Sequence, residues 1–538
     1  MGKISAIDPA ALNGAIQKMD TGANTLAGAC RSLTAEFGRY GLDTSGLRKL
    51  DAIAAWTRDQ LPDLRRRHAL AVAANRAHPN DTLAHIAEPF SLGAADHALY
   101  EQAVAAGDRA SVALVTSDLR AHLDDPEFLQ AYADAAPDDV TAFQGLPADV
   151  ADRLNRLRLK ADVEKPGCPQ ELKDLWAHLT DPADRTHRSD MFLLGYDALG
   201  NGHVAVSYGN PDTAANTAVY VPGTGSALAK ASGDLNRALT LYASANDTGA
   251  AGTTASIYWL GYDAPGWSFP GPASQSFADA GAPKLAAFVN SLAPQHTGAD
   301  HVTVIGHSYG TTVVGDAFAH AGMKADDAVF VGSPGVTVDR ASQLGLDPGH
   351  VWASKAKFDP VPEVSATLDP LKWLDDHSDR FGNDPTSSSF GGRTFDSGEG
   401  SGVTHAHSEY WDPGPSLTNM TDIVIGRPDR VTAMPQEDRT GVLPNLADQV
   451  DPVLGIPNLL GPALQNLGHR VGGYWGAPIE DSGDALHSFG QAENDVAGTV
   501  TDLLTGDLDS AGHEIEDIGS DLADSGENAV RAVTDFFT

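Results

Sequence analysis

The sequence predicts an α/β protein. A mostly parallel sheet flanked by helices follows an N-terminal helical domain and precedes an acidic, partly helical C-terminal tail. Three observations carry this. Between about residues 190 and 360, short apolar, β-branched runs alternate with helical segments, the pattern of strands joined by crossover helices. Residues 8–77 hold apolar residues at helical spacing. Residues 431–538 carry three Arg and no Lys against nineteen Asp and Glu, a net of −16 within a total of −36.

The elements follow in chain order. Asp8-Pro9 supplies an N-cap and a first helical residue. Leu12, Ile16, Met19, Leu26, Leu33 and Phe37 then recur at a helical period. Gly41–Gly46 is a turn, and a second helix carries Leu50, Ile53, Ala54, Trp56, Leu61 and Leu64, with a kink expected at Pro62. Such a hairpin needs a partner to bury its faces, so a protein partner for these helices is one expectation. Residues 83–160 continue helical, with breaks near Gly93, Pro126 and Pro137. Strands are expected at Met191–Gly195 and His203–Ser207, joined by the hairpin signal Gly200-Asn201-Gly202. Further strands are expected at Thr217–Val221, Ser256–Leu260, 301–305, Ala328–Gly332 and Val351–Ala356, with helices at Ser226–Ala243 and 273–293. Four regions result: a helical hairpin at 1–80, a helical lead-in at 81–185, a catalytic α/β domain at 186–430 and the acidic region at 431–538.

The acidic region has a 15-residue echo. Val500, Ile515 and Val530 align, as do Leu503, Ile518 and Val533, at spacings that suit amphipathic helices. Its polar residues are acidic, whereas helices that lie on membranes usually carry Lys and Arg. The net charge of −36 argues against nucleic acid and against an anionic membrane as electrostatic partners. No run of 18 apolar residues exists, so no membrane span is expected. The N-terminus lacks the apolar core of a signal peptide, which gives a cytoplasmic expectation. The two cysteines, Cys30 and Cys168, read as unrelated thiols. No metal motif of the C-x-x-C or H-E-x-x-H type appears, and no cofactor is called for.

The chemistry centres on Val302–Gly315. An apolar run leads into Gly306-His307-Ser308-Tyr309-Gly310, the one G-x-S-x-G of the chain, and Thr311–Ala321 reads as a helix. Strand, sharp turn and helix form the context of a nucleophile elbow. A serine hydroxyl is a weak nucleophile until a base takes its proton, and that base must be oriented by a carboxylate. The acid should lie just past a later strand, where Asp359 stands; Asp339 and Asp369 are the other candidates. The base should follow it. His407 is the choice, with His405 the alternative and His377 a third candidate. The developing oxyanion needs donors. The backbone N–H of Tyr309 is one, and that of Thr224, in the Gly-rich loop Pro222-Gly223-Thr224-Gly225, is the other. That loop has neither a G-K-[ST] nor a G-x-G-x-x-G pattern, which argues against nucleotide binding. Trp259, Tyr262, Trp267 and Phe269 follow the fourth strand and could serve either as pocket lining or as lid packing.

Taken together, Val219–Gly225, Val304–Gly310 and His407–Gly414 resemble an actinobacterial α/β-hydrolase family long catalogued as a domain of unknown function. Gly145–Val150 and Asp152–Arg156 are similar to its helical lead-in, so the resemblance covers about residues 140–427. It implies the α/β-hydrolase fold and a serine hydrolase with Ser308, Asp359 and His407 as triad; it implies no substrate. The N-terminal hairpin resembles small helical proteins exported by type VII secretion, although their Trp-x-Gly turn is absent here. The expected activity is hydrolysis of a small-molecule or lipid ester, or a thioester, through an acyl-serine. Amide cleavage uses the same triad. A non-catalytic scaffold, or an exported effector that binds partners through the hairpin and the acidic tail, is the alternative.

Overall fold

The computed structural model describes residues 3–77, 83–88, 91–180, 191–248, 253–266, 274–292, 301–357, 359, 361–362, 381–398 and 406–435. The expected tail helices, His377, His405, Asp369, Trp267 and Phe269 lie outside the described residues. Contacts divide the chain into two compact units: Met1–Asp138 with Asp149–Ala161, and Asp139–Ala148 with Asp162–Thr538.

The first unit opens with β1 (Lys3–Ile7), α1 (Pro9–Arg39), α2 (Ser45–Ala77) and β2 (Ala84–Glu88). Asp8 caps α1 as expected, its carboxylate accepting from the N–H groups of Ala10 and Ala11 at 2.9 and 3.2 Å. α2 continues through Pro62. β1 pairs antiparallel with β2, from Lys3 opposite Glu88 to Ile7 opposite Ala84. Neither strand was expected, because five residues carry little periodicity and the partner lies beyond both helices. The buried positions of the hairpin are mostly small: Ala23, Ala27, Cys30 and Ala54 among them. Leu50, Ile53 and Trp56, expected on the buried face, are exposed instead, Trp56 at 61%. Helical spacing marks an apolar face but does not say which of two faces a neighbour covers. α3 (Leu92–Ala106), α4 (Arg109–Ala121), α5 (Pro126–Ala135) and most of α6 (Ala148–Glu164) complete this unit. Arg66 of α2 ties it together, donating to Asp96 on α3 at 2.6 Å and to Asp118 on α4.

The second unit holds α7 (Gln170–Thr180), β3 (Met191–Asp197), β4 (His203–Tyr208), β5 (Asn216–Val221), α8 (Ala231–Asp247), β6 (Thr254–Leu260), α9 (Ser276–Leu292), β7 (His301–His307), α10 (Tyr309–His320), β8 (Asp327–Val331), β9 (Val351–Ser354), β10 (Arg393–Thr394) and α11 (Pro415–Val424). The eight strands form one sheet in the order β3-β4-β6-β5-β7-β8-β9-β10. β4 is antiparallel to β3 and β6, and the other pairs are parallel. The β3–β4 hairpin turns through Gly200 and Gly202 at φ 57° and 73°, values that favour glycine. All the expected strands of this unit are present; β10 and α11 were not foreseen.

This order places the site. The chain leaves β5 for β6 on one side, then returns past β5 to reach β7 on the other. Right-handed crossovers therefore put α8 and α9 on opposite faces. The loops after β5 and β7 diverge above two adjacent strands, and that crevice is where open α/β sheets place ligands. One expectation fails here. The helix after β5 begins at Ala231, not Ser226, after a 3-10 turn at Leu228–Lys230. Gly225 at φ 78° donates its N–H to Pro265 O at 2.8 Å, which holds residues 223–226 as a loop.

At the opposite end of β7 from Ser308, His301 fastens α11 to the sheet. Its Nδ1 lies 3.0 Å from Val424 O and its Nε2 lies 2.7 Å from Asp327 Oδ2. Both partners are acceptors, so both nitrogens carry protons and the ring is an imidazolium. The hydrogen bond that His301 donates to Asp327 raises its pKa above the ordinary value, against burial. Burial raises the Asp327 carboxyl, but the bonds from His301 and Trp352 outweigh it and the net shift is downward. The His301 contribution is thus complete below its unfolded pKa of about 6.5 and fades as pH rises through its higher folded value. The Asp327 contribution fades only as pH falls through its depressed value. His301→Gln should therefore lower the melting free energy by about 1 kcal/mol at pH 6. Melting curves at pH 6 and pH 9 should show that gap shrinking at the higher pH; an unchanged gap would mean that the ring is neutral.

No described helix is long and apolar enough to cross a membrane. Cys30 and Cys168 are both free thiols.

Candidate active site

Ser308 stands at the end of β7 with φ 55° and ψ −134°. A non-glycine residue rarely adopts this conformation, and it costs about 1–3 kcal/mol. The surroundings enforce it. A Cβ at Gly306 would lie 2.6 Å from Thr311 Cα, and one at Gly310 would lie 2.3 Å from Val221 O. Both distances are too short for any side chain, so the elbow requires both glycines. The Ser308 N–H donates to Val331 O at 3.1 Å, tying the turn to β8. The residue is 7% exposed.

The loop after β5 packs directly on this elbow. A Cβ at Gly223 would meet Ser308 Cβ at 2.6 Å, His307 O at 2.8 Å and Tyr309 N at 2.9 Å. Thr224 comes next and is half-buried. Neither its N–H nor that of Tyr309, the first residue of α10, donates to an acceptor among the described residues. Two side-chain hydrogen bonds also anchor the loop, beside the bond from Gly225 to Pro265. Tyr262 OH donates to Pro222 O at 2.7 Å, and Ser226 Oγ donates to Asp234 Oδ2 at 3.3 Å. Asp234 also accepts from Tyr220 at 3.1 Å and from Arg237 at 2.8 Å. Trp259 is buried and stacks on Tyr262 with the rings 9° apart, so these two aromatics belong to the core and its loop anchor. The Tyr309 side chain points to its own anchors, donating to Ser274 O and accepting from Ala278 N–H at 3.3 Å.

The candidate acid and base meet. Asp359 follows β9, and His407 lies on the 3-10 turn Ala406–Trp411. His407 Nδ1 is 2.9 Å from Asp359 Oδ2 and 3.0 Å from Oδ1. A carboxylate only accepts, so the proton is on Nδ1. That leaves the Nε2 lone pair as the basic site. Asp359 is 1% exposed and receives two further donors, Val361 N–H at 3.0 Å and Tyr410 OH at 2.6 Å. Burial raises the Tyr410 pKa well above the ordinary phenol value, so the hydroxyl stays a donor. Gly332, at φ 57°, makes room for the pair: a Cβ there would meet Asp359 Oδ2 at 2.7 Å and His407 Nδ1 at 3.0 Å. Gly332 directly follows Val331, the residue that receives the Ser308 N–H, so serine and imidazole share one wall. Neither Ser308 Oγ nor His407 Nε2 makes a hydrogen bond with the described residues. Catalytic bonds are often long before substrate binds.

The competing acid Asp339 is exposed, and its backbone N–H donates to Gln343. It makes no contact with His407. Sequence reasoning missed Tyr410, Gly332 and His307, and gave Tyr262 as pocket lining or lid packing where it anchors the loop after β5. Only Tyr410 carried a local signal, three residues beyond His407 and thus beside it on a 3-10 turn. Among the described residues no group of three or more His, Cys, Asp or Glu is placed to hold a metal ion. A cleft of about 700 Å³ opens elsewhere, lined in part by Gln275, Asp279, Asn290, Asp316 and His320.

Residues 197–370 match an alpha/beta hydrolase family. This window includes Thr224, Ser308 and Asp359 and ends before His407. An uncharacterized protein of Mycobacterium tuberculosis is 33% identical over 352 residues, which is 61% of this chain and 51% of the relative. An uncharacterized protein of Mycobacterium bovis is 43% identical over 99 residues, 18% of this chain and 36% of the relative. The chain spans about half the length of the first of these relatives. Strand order, elbow and family match agree: the sheet-bearing unit has the alpha/beta hydrolase fold, and within it residues 197–370 match that family.

Proposed function

We propose that the protein is a serine hydrolase that cleaves a carboxylic ester through an acyl-serine intermediate. The observation that carries this reading is the buried bond from His407 to Asp359, set beside a serine held in a strained turn. His407 Nε2 takes the Ser308 proton as Oγ attacks the ester carbonyl. The oxyanion accepts from the N–H groups of Thr224 and Tyr309. The imidazolium then protonates the leaving alcohol, and the C–O bond breaks. Water repeats the sequence on the acyl-serine, releasing the acid and restoring Ser308. Asp359 stabilises the imidazolium and keeps its proton on Nδ1.

A fluorophosphonate probe and a panel of acyl esters of graded chain length test the reading. The expected result is one labelled peptide, containing Ser308, and turnover with an optimum in chain length. Labelling on another residue would overturn the assignment. Absence of both labelling and turnover would favour the non-catalytic scaffold.

A further inference from the structure

The residue between Gly306 and Ser308 is a histidine, and the proposed reaction gives it no role. Its backbone belongs to the elbow, and its side chain reaches the segment that carries the base. His307 Nε2 lies 2.7 Å from His407 O. The two rings are 4.6 Å apart at 32°. Trp411 meets His307 edge-on at 5.3 Å and 83°, and the Arg237 guanidinium lies 5.2 Å over the Trp411 ring. Arg237, Trp411, His307 and His407 thus form a file that starts on α8 and ends at the base.

We infer that His307 is a positioning residue: its Nε2–H holds the His407 carbonyl and so sets where the imidazole stands relative to Ser308. This rests on the serine-hydrolase reading above and deepens it. An apolar side chain would fill the same buried space without the cost of desolvating two ring nitrogens. The imidazole is useful there because one nitrogen finds the backbone of the base itself. Its protonation state suits this task. Burial, together with the charges of His407 and Arg237, holds the His307 pKa well below the ordinary imidazole value, so the ring stays neutral. A neutral ring has one N–H, and a carbonyl partner places it on Nε2. Tyr410 fixes the carboxylate and His307 fixes the backbone of the base, and their two rings meet edge-on at 5.8 Å and 62°. Between them the Nε2 atom of His407 loses the freedom to drift. A displacement of about 1 Å at such a site costs on the order of a hundredfold in rate.

Two substitutions separate the hydrogen bond from the packing. His307→Phe keeps a ring and loses the donor. His307→Gln loses the ring, but its amide N–H can stand where Nε2–H stood. Phenylalanine should lower kcat, and the rate of fluorophosphonate labelling, by about 30–100-fold with KM within about threefold. Glutamine should recover most of that loss. Wild-type rates in His307→Phe, or an equal loss in both variants, would overturn the inference. A wild-type protein that is not labelled at Ser308 would instead sink the serine-hydrolase reading itself. Nitrogen-15 spectra of the wild-type histidines supply a check that needs no variant and no substrate. His307 should appear as a neutral ring protonated on Nε2, its proton protected from exchange; a charged ring or the other tautomer would overturn the inference.

Discussion

Ser308→Ala is expected to abolish fluorophosphonate labelling and to lower kcat for an ester substrate by about 10⁶-fold, leaving the melting temperature nearly unchanged. The size of the first effect follows from chemistry. With Oγ gone no acyl-enzyme can form, and what remains is whatever the Thr224 and Tyr309 N–H groups contribute to direct attack by water. In triad enzymes that residue of catalysis is about 10³–10⁴ over solution. The small second effect follows from the backbone. Ser308 is held at φ 55° by glycines at 306 and 310, and by its own N–H on Val331 O. None of these involves the hydroxyl. Alanine keeps the Cβ, hence the strain, and deletes an atom that bonds to none of the described residues. KM should move little if the hydroxyl takes no part in ground-state binding. A mutant that keeps a tenth of the wild-type rate would show that another nucleophile is at work.

The sheet and its elbow were legible in the sequence because they depend on local rules. Val302–Ile305 is a buried strand by composition, and Gly306 and Gly310 are the residues that a tight turn leaves possible. The pairing of Asp359 with His407 was legible as an order along the chain, since both follow the elbow. The bond between them is tertiary, spanning 48 residues. Tyr410 and His307 were not legible as contributors. Each acts on a partner that only folding brings near: Tyr410 on a carboxylate 51 residues earlier, His307 on a carbonyl 100 residues later. The start of α8 failed for a related reason. Ala227 is extended, at φ −154° and ψ 159°, after a loop that the bond from Gly225 to Pro265 holds. The exposed Leu50, Ile53 and Trp56 failed because periodicity ranks faces and does not supply the neighbour.

Asp359→Asn should cost nearly as much as losing the base, about 10⁴-fold in kcat, while also lowering stability. Three donors converge on this carboxylate: His407 Nδ1–H, Tyr410 O–H and Val361 N–H. An amide offers one oxygen and one NH₂. The oxygen can serve one or two of the donors, and the NH₂ must face another. If it faces His407, the imidazole turns its Nδ1 lone pair to the amide and carries its proton on Nε2. Nε2–H cannot accept the Ser308 proton, so the rate falls although every atom is near its place. If it faces Tyr410, the phenol oxygen must accept from the amide and its own O–H loses its acceptor, in a site that is 1% exposed. Leaving one such group unsatisfied costs about 1–3 kcal/mol. Gly332 limits any escape, because the wall it forms lies within contact of both side chains. The two losses can be measured separately, kcat by ester turnover and stability by urea denaturation. A variant within tenfold of wild type in kcat would move the orienting role to a different carboxylate. One that is inactive but as stable as wild type would mean that the NH₂ faces His407, the tautomer switch leaving no donor unsatisfied.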